Sequence, residues 1–178
     1  MNLFIGTTSV DKLDKKVLSS CDELIERVAK IEGVDLVFGG YGHSIMKKCY
    51  DEFKKNNKKV ISATVEVFKN ELKDIPSDKE LVEKTTFSRL EKIYQNSDMF
   101  LILPGGIGTL AELFSLIEEM RTNENNKMLV IYNKDYFYKD ILEKLYDMYQ
   151  NKLIEYPPSE YMLISNDIDE IITVIENF

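Results

Sequence analysis

Apolar runs of strand length alternate along the chain with segments whose apolar residues recur every three to four positions, and this alternation predicts an α/β fold. The strand candidates are "NLFIG" from residue 2, "VDLVFG" from 34, "KKVISATV" from 58, "DMFLILP" from 98, "KMLVIYN" from 127 and the shorter "YMLIS" from 161. Most are continuously apolar, as parallel strands buried on both faces are. Helices are predicted over 11–31, 43–56, 78–96, 108–121, 136–151 and 167–177. In the first of these Val17, Leu18, Cys21, Leu24, Ile25 and Val28 line one face, and Asp11 stands at its expected start. Right-handed crossovers between such elements give a Rossmann-like, doubly wound, mostly parallel sheet with helices on both faces. The region 64–86, with "ELKDIPSDKE" inside it, breaks the rhythm and is read as an excursion over a ligand site.

Composition bounds the picture without changing it. The 178 residues, 44% of them hydrophobic, suffice for one domain spanning 1–178 with a proper core. The formal charge is −8 and the lysines are scattered or interleaved with acids, which argues against a nucleic-acid partner. No long uncharged apolar run is present, and "MNLFIGTTSV" lacks a basic start followed by a long apolar stretch, so a soluble, cytoplasmic protein with no membrane partner is expected. Cys21 and Cys49 fall in helical segments without metal-ligand spacing and are read as reduced bystanders. With a single histidine, His43, and no His/Cys cluster, no metal site is predicted. No lysine stands in a context suited to pyridoxal phosphate, and no cofactor is expected.

The most informative stretch is "LPGGIGTLAEL", residues 103–113. A strand ending at Leu103, a turn through Pro104, Gly105, Gly106 and Gly108, and a helix beginning near Thr109 aim free backbone N–H groups outward from the helix start. This is a cradle for an oxyanion, with phosphate contacts expected from Gly105, Gly106, Ile107, Gly108 and Thr109. Thr8 and Ser9 follow the first strand at the carboxyl edge of the sheet, where either a phosphate or ribose contact or simple helix capping would explain them. His43, beside Gly42, is read as a residue of the loop or pocket rim.

"PGGIGTLAE" matches the PGGxGTxxE signature of the Lonely Guy (LOG) family, the cytokinin riboside 5′-monophosphate phosphoribohydrolases that often carry a lysine decarboxylase label. Arg89 in "TFSRL" stands fifteen residues before Pro104, the spacing of the family's arginine. "LFIGTTS" resembles the family's first strand and loop, "VFGGYGHSIMKKCYDEF" resembles its second glycine loop and following helix, and the similarity continues beyond residue 127. The chain differs in carrying Ser88 and Leu90 beside Arg89, where the family usually has Glu and Lys, and Tyr41, His43 and Ser44 in the second glycine loop. The resemblance implies catalytic roles for Arg89 and Glu112, further ligand contacts from Gly40, His43 and Met46, a nucleoside 5′-monophosphate as ligand, and a homodimer or a multiple of dimers.

The chemistry agrees with that resemblance. Cleaving the N-glycosidic bond of a nucleoside 5′-monophosphate needs a fixed phosphate, a carboxylate near the anomeric carbon and a positioned water. Glu112, about one turn inside the helix whose start would hold the phosphate, is placed to stabilise a cationic sugar or activate water. Arg89 stays charged and can hold Glu112 ionised while donating to sugar or phosphate oxygens; a structural ion pair is the plainer reading of the same residues. Tyr132, Tyr136, Phe137 and Tyr138 are read as core or dimer interface, and the acids of "SLIEEM" as a solvated helix face. Two function classes follow: a phosphoribohydrolase for a purine nucleoside 5′-monophosphate, or a non-catalytic nucleotide-binding sensor or carrier on the same fold.

Overall fold

The computed structural model describes residues 1–12, 15–122 and 127–178; the side chains of Lys15 and Leu18 lie outside the description. Its strands are β1 (Asn2–Gly6), β2 (Asp35–Phe38), β3 (Val60–Val65), β4 (Lys79–Glu83), β5 (Met99–Ile102), β6 (Met128–Tyr132) and β7 (Leu163–Ser165). They form a 7-stranded sheet in the order β4-β3-β2-β1-β5-β6-β7, with every neighbouring pair parallel. The α-helices are α1 (Lys15–Val28), α2 (Ser44–Lys55), α3 (Thr86–Asn96), α4 (Ile107–Thr122), α5 (Lys139–Gln150), α6 (Pro158–Tyr161) and α7 (Ile168–Asn177). Two 3-10 helices cover Glu66–Asp74 and Lys134–Tyr136.

Alternation within the strands builds two cores. Leu3, Ile5, Leu36, Phe38, Leu101 and Val130 pack with residues of α1, α2 and α7 on one face. Phe4, Val37, Phe100, Ile102, Leu129 and Ile131 pack with α3, α4 and α5 on the other. Both sides of β1, β2, β5 and β6 are therefore apolar, which is why these strands read as near-continuous hydrophobic runs, while β3 also buries Ser62 and Thr64. Cys21 and Cys49 belong to the first core, where burial pushes the Cys21 thiol up to about 11 and raises that of Cys49 as well. Neither is a thiolate at neutral pH.

Several predicted elements shift. The helix expected over 78–96 is two elements, β4 and α3, separated by a turn. "KELVE" sets Leu81 and Val82 among three charged side chains, so its apolar pattern has no strand signature; main-chain pairing with β3 makes it a strand. Charge along this edge also discourages pairing with another sheet. Of the helix expected over 11–31, Leu13, Asp14 and the side chain of Leu18 lie outside the described residues, Asp11 sits in a bend, and α1 closes at Val28 before a turn in which Gly33 adopts φ +74. Of the aromatic group near residue 135, Tyr132 and Tyr138 are buried while Tyr136 and Phe137 are exposed. The acids of "SLIEEM" are exposed, and Glu118 pairs with Arg121.

The strand order contains the positional clue. From β1 the chain winds outward through β2, β3 and β4, then returns to β5 on the opposite side of β1. Successive crossovers diverge between β1 and β5, and their carboxyl ends leave a crevice there, the usual ligand position in an open parallel sheet. Among the described residues no helix is long and apolar enough to cross a membrane.

Candidate active site

A cleft of about 330 Å³ opens at that switch point. Every one of its walls comes from a carboxyl-end segment or the helix start next to it: Thr7 to Val10 after β1, Gly39 and Tyr41 after β2, Thr64, Val65 and Phe68 at and after β3, and Gly106 to Thr109 after β5. Arg89 from α3 and Glu112 from α4 complete it, with Met46 and Thr86. Thr7 Oγ1 donates to the Pro104 carbonyl at 3.1 Å, tying the first loop to the glycine turn.

The glycine turn leads into α4, whose first backbone bond is Leu110 N–H to Gly106 O at 3.0 Å. The amides of Gly106, Ile107, Gly108 and Thr109 have no acceptor among the described residues and begin a 16-residue helix. The helix dipole and these N–H groups make the position attractive to an anion. The three glycines serve different ends. A Cβ on Gly105 would lie 2.1 Å from Thr109 Oγ1 and 2.5 Å from Thr109 Cβ, so Gly105 is demanded by packing inside the turn. Gly106 and Gly108 have nothing within 4 Å of such a Cβ and no left-handed φ. Neither strain nor packing within the protein calls for glycine there, and both border the cleft, where the bare backbone leaves room for a ligand.

This difference gives a prediction. Gly105→Ala should destabilise the fold by about 2–4 kcal/mol, because α4 must shift to relieve the clash. Gly106→Ala should stay within about 0.5 kcal/mol of wild type. Urea unfolding midpoints for the two variants check this, and an undisturbed Gly105→Ala protein would contradict the packing account.

Behind the turn lies a buried ion pair. Arg89 Nη2 donates to Glu112 Oε1 at 2.8 Å, and Arg89 Nε donates to the Ala63 carbonyl at 2.7 Å. The side chains are 14% and 6% exposed. Burial pushes the Glu112 carboxyl above the ordinary glutamate range, and the Arg89 guanidinium pulls it part of the way back. A desolvated carboxylate of this kind is a stronger base than an exposed one. The start of α3 is set by a capping box in which the Thr85 hydroxyl accepts from Ser88 N–H at 3.1 Å and the Ser88 hydroxyl accepts from Thr85 N–H at 3.4 Å. Ser88 therefore anchors the turn that carries Arg89.

Two glycines outside the signature make space for this pair. A Cβ on Gly6 would stand 2.8 Å from Ile102 Cδ1 and 3.1 Å from Glu112 Oε2; one on Gly39 would stand 2.8 Å from Met46 Cε and 3.0 Å from Arg89 Nη2. Sequence reasoning missed both, although Gly6 closes β1 in the "FIG" run and Gly39 follows β2 in the "VFGG" run. It also missed Thr7, Val10, Thr64, Val65, Phe68 and Thr86, and named Tyr41 only as a departure within the second glycine loop. Of the residues it named, Arg89, Glu112, Gly106, Ile107, Gly108, Thr109, Thr8, Ser9 and Met46 are gathered at the cleft. Three are placed behind it. Gly105 packs on Thr109; Gly40, at φ +70, turns the chain against Leu72, Ser62 and Thr64; and His43 lies between Asp11 and Glu71. The excursion over 64–86 is half confirmed: the 3-10 helix brings Phe68 to the cleft, while β4 extends the sheet.

Fold and site together define a Rossmann-like α/β protein with a bare helix-start cradle and a buried Arg–Glu pair at its switch point. The family model described as possible lysine decarboxylase matches residues 46–175, and the chain belongs to that family, which holds the LOG proteins. The cytokinin riboside 5′-monophosphate phosphoribohydrolase of Mycobacterium tuberculosis (strain ATCC 25618 / H37Rv) is 36% identical over 61 residues, 34% of this chain and 33% of that protein. Among solved structures, a molybdenum cofactor carrier protein from Chlamydomonas reinhardtii superposes with a TM-score of 0.72 at 15% identity, covering 99% of this chain and 96% of that one. The molybdenum cofactor binding protein of Rippkaea orientalis gives 0.66 at 18% identity, covering 99% and 95%. These structural likenesses establish the fold.

Proposed function

We propose that the protein is a LOG-like phosphoribohydrolase that cleaves the N-glycosidic bond of a purine nucleoside 5′-monophosphate, giving free base and ribose 5-phosphate. The observation that carries this reading is the placement of Glu112: buried, paired with Arg89, and little more than one turn inside the helix whose four free amides start at the cleft. With the phosphate on those amides, the ribose of the same ligand comes beside the carboxylate. The C1′–N bond breaks and its electron pair leaves with the base, which takes up a proton. Glu112 stabilises the cationic sugar and accepts a proton from the water whose oxygen bonds to C1′. Arg89 orients Glu112 and adds a cationic donor.

The test is incubation of the purified protein with a panel of nucleoside 5′-monophosphates and chromatography for free base. Release of a purine supports the reading. Binding without release favours a non-catalytic sensor or carrier, a second reading that gains from Ser88: its hydroxyl is engaged in capping α3 and offers no acid or base beside Arg89.

We further propose a homodimer. Phe114 on α4 is 43% exposed, and α4 and α5 flank an apolar groove of about 520 Å³ lined by Phe114, Ile117, Leu145, Met148 and Met162. Apolar surface of this kind fits an isologous interface. Light scattering at micromolar concentration should give a dimer mass or a multiple of it; a monomer mass would contradict the proposal.

A further inference from the structure

The cleft has two chemically different ends. At the start of α4 it presents backbone amides, Thr8, Ser9 and the Arg89–Glu112 pair; after β2 and β3 it presents Tyr41, Met46, Val65 and Phe68. The loop after β2 lies two strand spacings from the loop after β5, about 10 Å at the usual 4.8 Å per strand. Phosphate, sugar and heterocycle follow one another over a span of this kind.

The geometry points to Tyr41 and Phe68 as the subsite that accepts the flat heterocycle of the ligand and so sets which ligand the site takes; this inference rests on the nucleotide reading above. The two rings meet edge to face, with centroids 5.5 Å apart and planes at 86°. Such a pair forms a right-angled corner in which a planar ring stacks on one face with its edge against the other. Phe68 is 47% exposed, an apolar ring at the cleft that a stacked heterocycle would cover.

The corner is held in shape from behind. His43 packs on Tyr41 with ring centroids 5.3 Å apart. Its Nδ1 lies 3.1 Å from Asp11 and its Nε2 3.4 Å from Glu71, which belongs to the same 3-10 helix as Phe68. His43 is therefore a positioning residue that links the loop after β1 to the segment carrying Phe68. The carboxylates of Asp11 and Glu71 also make this end unfavourable for a phosphate, so they orient the ligand with its anion at α4 and its ring at Tyr41.

Calorimetry with adenosine monophosphate and with ribose 5-phosphate, which lacks the ring, tests the assignment. Tyr41→Ala should weaken adenosine monophosphate binding about tenfold to a hundredfold and Tyr41→Phe by less than about threefold, since stacking needs the ring and not the hydroxyl. Ribose 5-phosphate affinity should change by less than about twofold in both, because the phosphate cradle is untouched. Phe68→Ala, at an exposed position that the fold does not depend on, should repeat the pattern. Adenosine monophosphate binding that survives Tyr41→Ala and Phe68→Ala, or an equal loss for both ligands, overturns the subsite. If wild type binds ribose 5-phosphate but gains nothing from the base, the subsite falls and the phosphate site stands. If wild type binds neither ligand, the nucleotide reading falls and takes the subsite with it.

Discussion

Glu112→Gln is expected to lower turnover of a nucleoside 5′-monophosphate by about a hundredfold or more while changing its binding by less than about threefold. Glutamine keeps the size of the side chain and an acceptor oxygen for Arg89 Nη2, but it has no negative charge to set against a cationic sugar and no basic oxygen to take a proton from water. The residue is 4% exposed, so no solvent stands ready to replace it. Its raised pKa gives the wild-type profile a direction. If the ionised form acts, activity is present above the raised value and is lost as pH falls through it, so the acid limb lies above the ordinary glutamate range. Stability follows the opposite sign. Between the ordinary glutamate value and the raised one the folded protein holds more protons than the unfolded chain, so wild-type stability falls as pH rises across that window. Glu112→Gln should lack both the acid limb and that fall, which rate profiles and melts against pH would register.

Arg89→Ala should damage both turnover and binding, each by about tenfold or more, because one side chain serves two structures at once. Nε anchors to the Ala63 carbonyl of β3 while Nη2 holds Glu112. Lysine offers a single ammonium and cannot reproduce that fork, so Arg89→Lys should recover little. With Arg89 gone, Glu112 is left buried without its cation and its pKa rises further. The double variant Arg89→Ala with Glu112→Gln should then turn over little more slowly than the worse single variant, since the two residues act as a unit. Additive losses across the four proteins would show that they work separately.

The inner strands were legible because burial on both faces makes them mostly apolar, with only the small Ser62 and Thr64 interrupting β3. β4 was not, since a half-exposed edge strand draws its identity from β3 and carries Lys79, Glu80 and Glu83. The Arg89–Glu112 partnership was implied by the resemblance to the LOG family, whereas the signature turn could be read from its glycines between a strand and a helix, because bare backbone at a helix start has few other uses. Gly6 and Gly39 could not. Their need for glycine comes from Glu112 and Arg89 side chains that arrive from distant segments, a demand that exists only once the chain is folded. The same holds for Gly105, whose constraint is Thr109 packing, and for His43, whose position between Asp11 and Glu71 joins three segments distant in sequence. Tyr41 stands out in sequence as a departure in the second glycine loop, whereas Phe68 looks like any aromatic near an apolar run; the fold is what brings the two rings together at the cleft.

The account turns on where the phosphate sits relative to Glu112, and a crystal structure of Glu112→Gln soaked with adenosine monophosphate tests that most directly. The phosphate should lie within hydrogen-bond distance of the amides from Gly106 to Thr109, with C1′ beside residue 112. A phosphate bound away from the start of α4, or those amides engaged by protein acceptors while the nucleotide lies elsewhere, would contradict it.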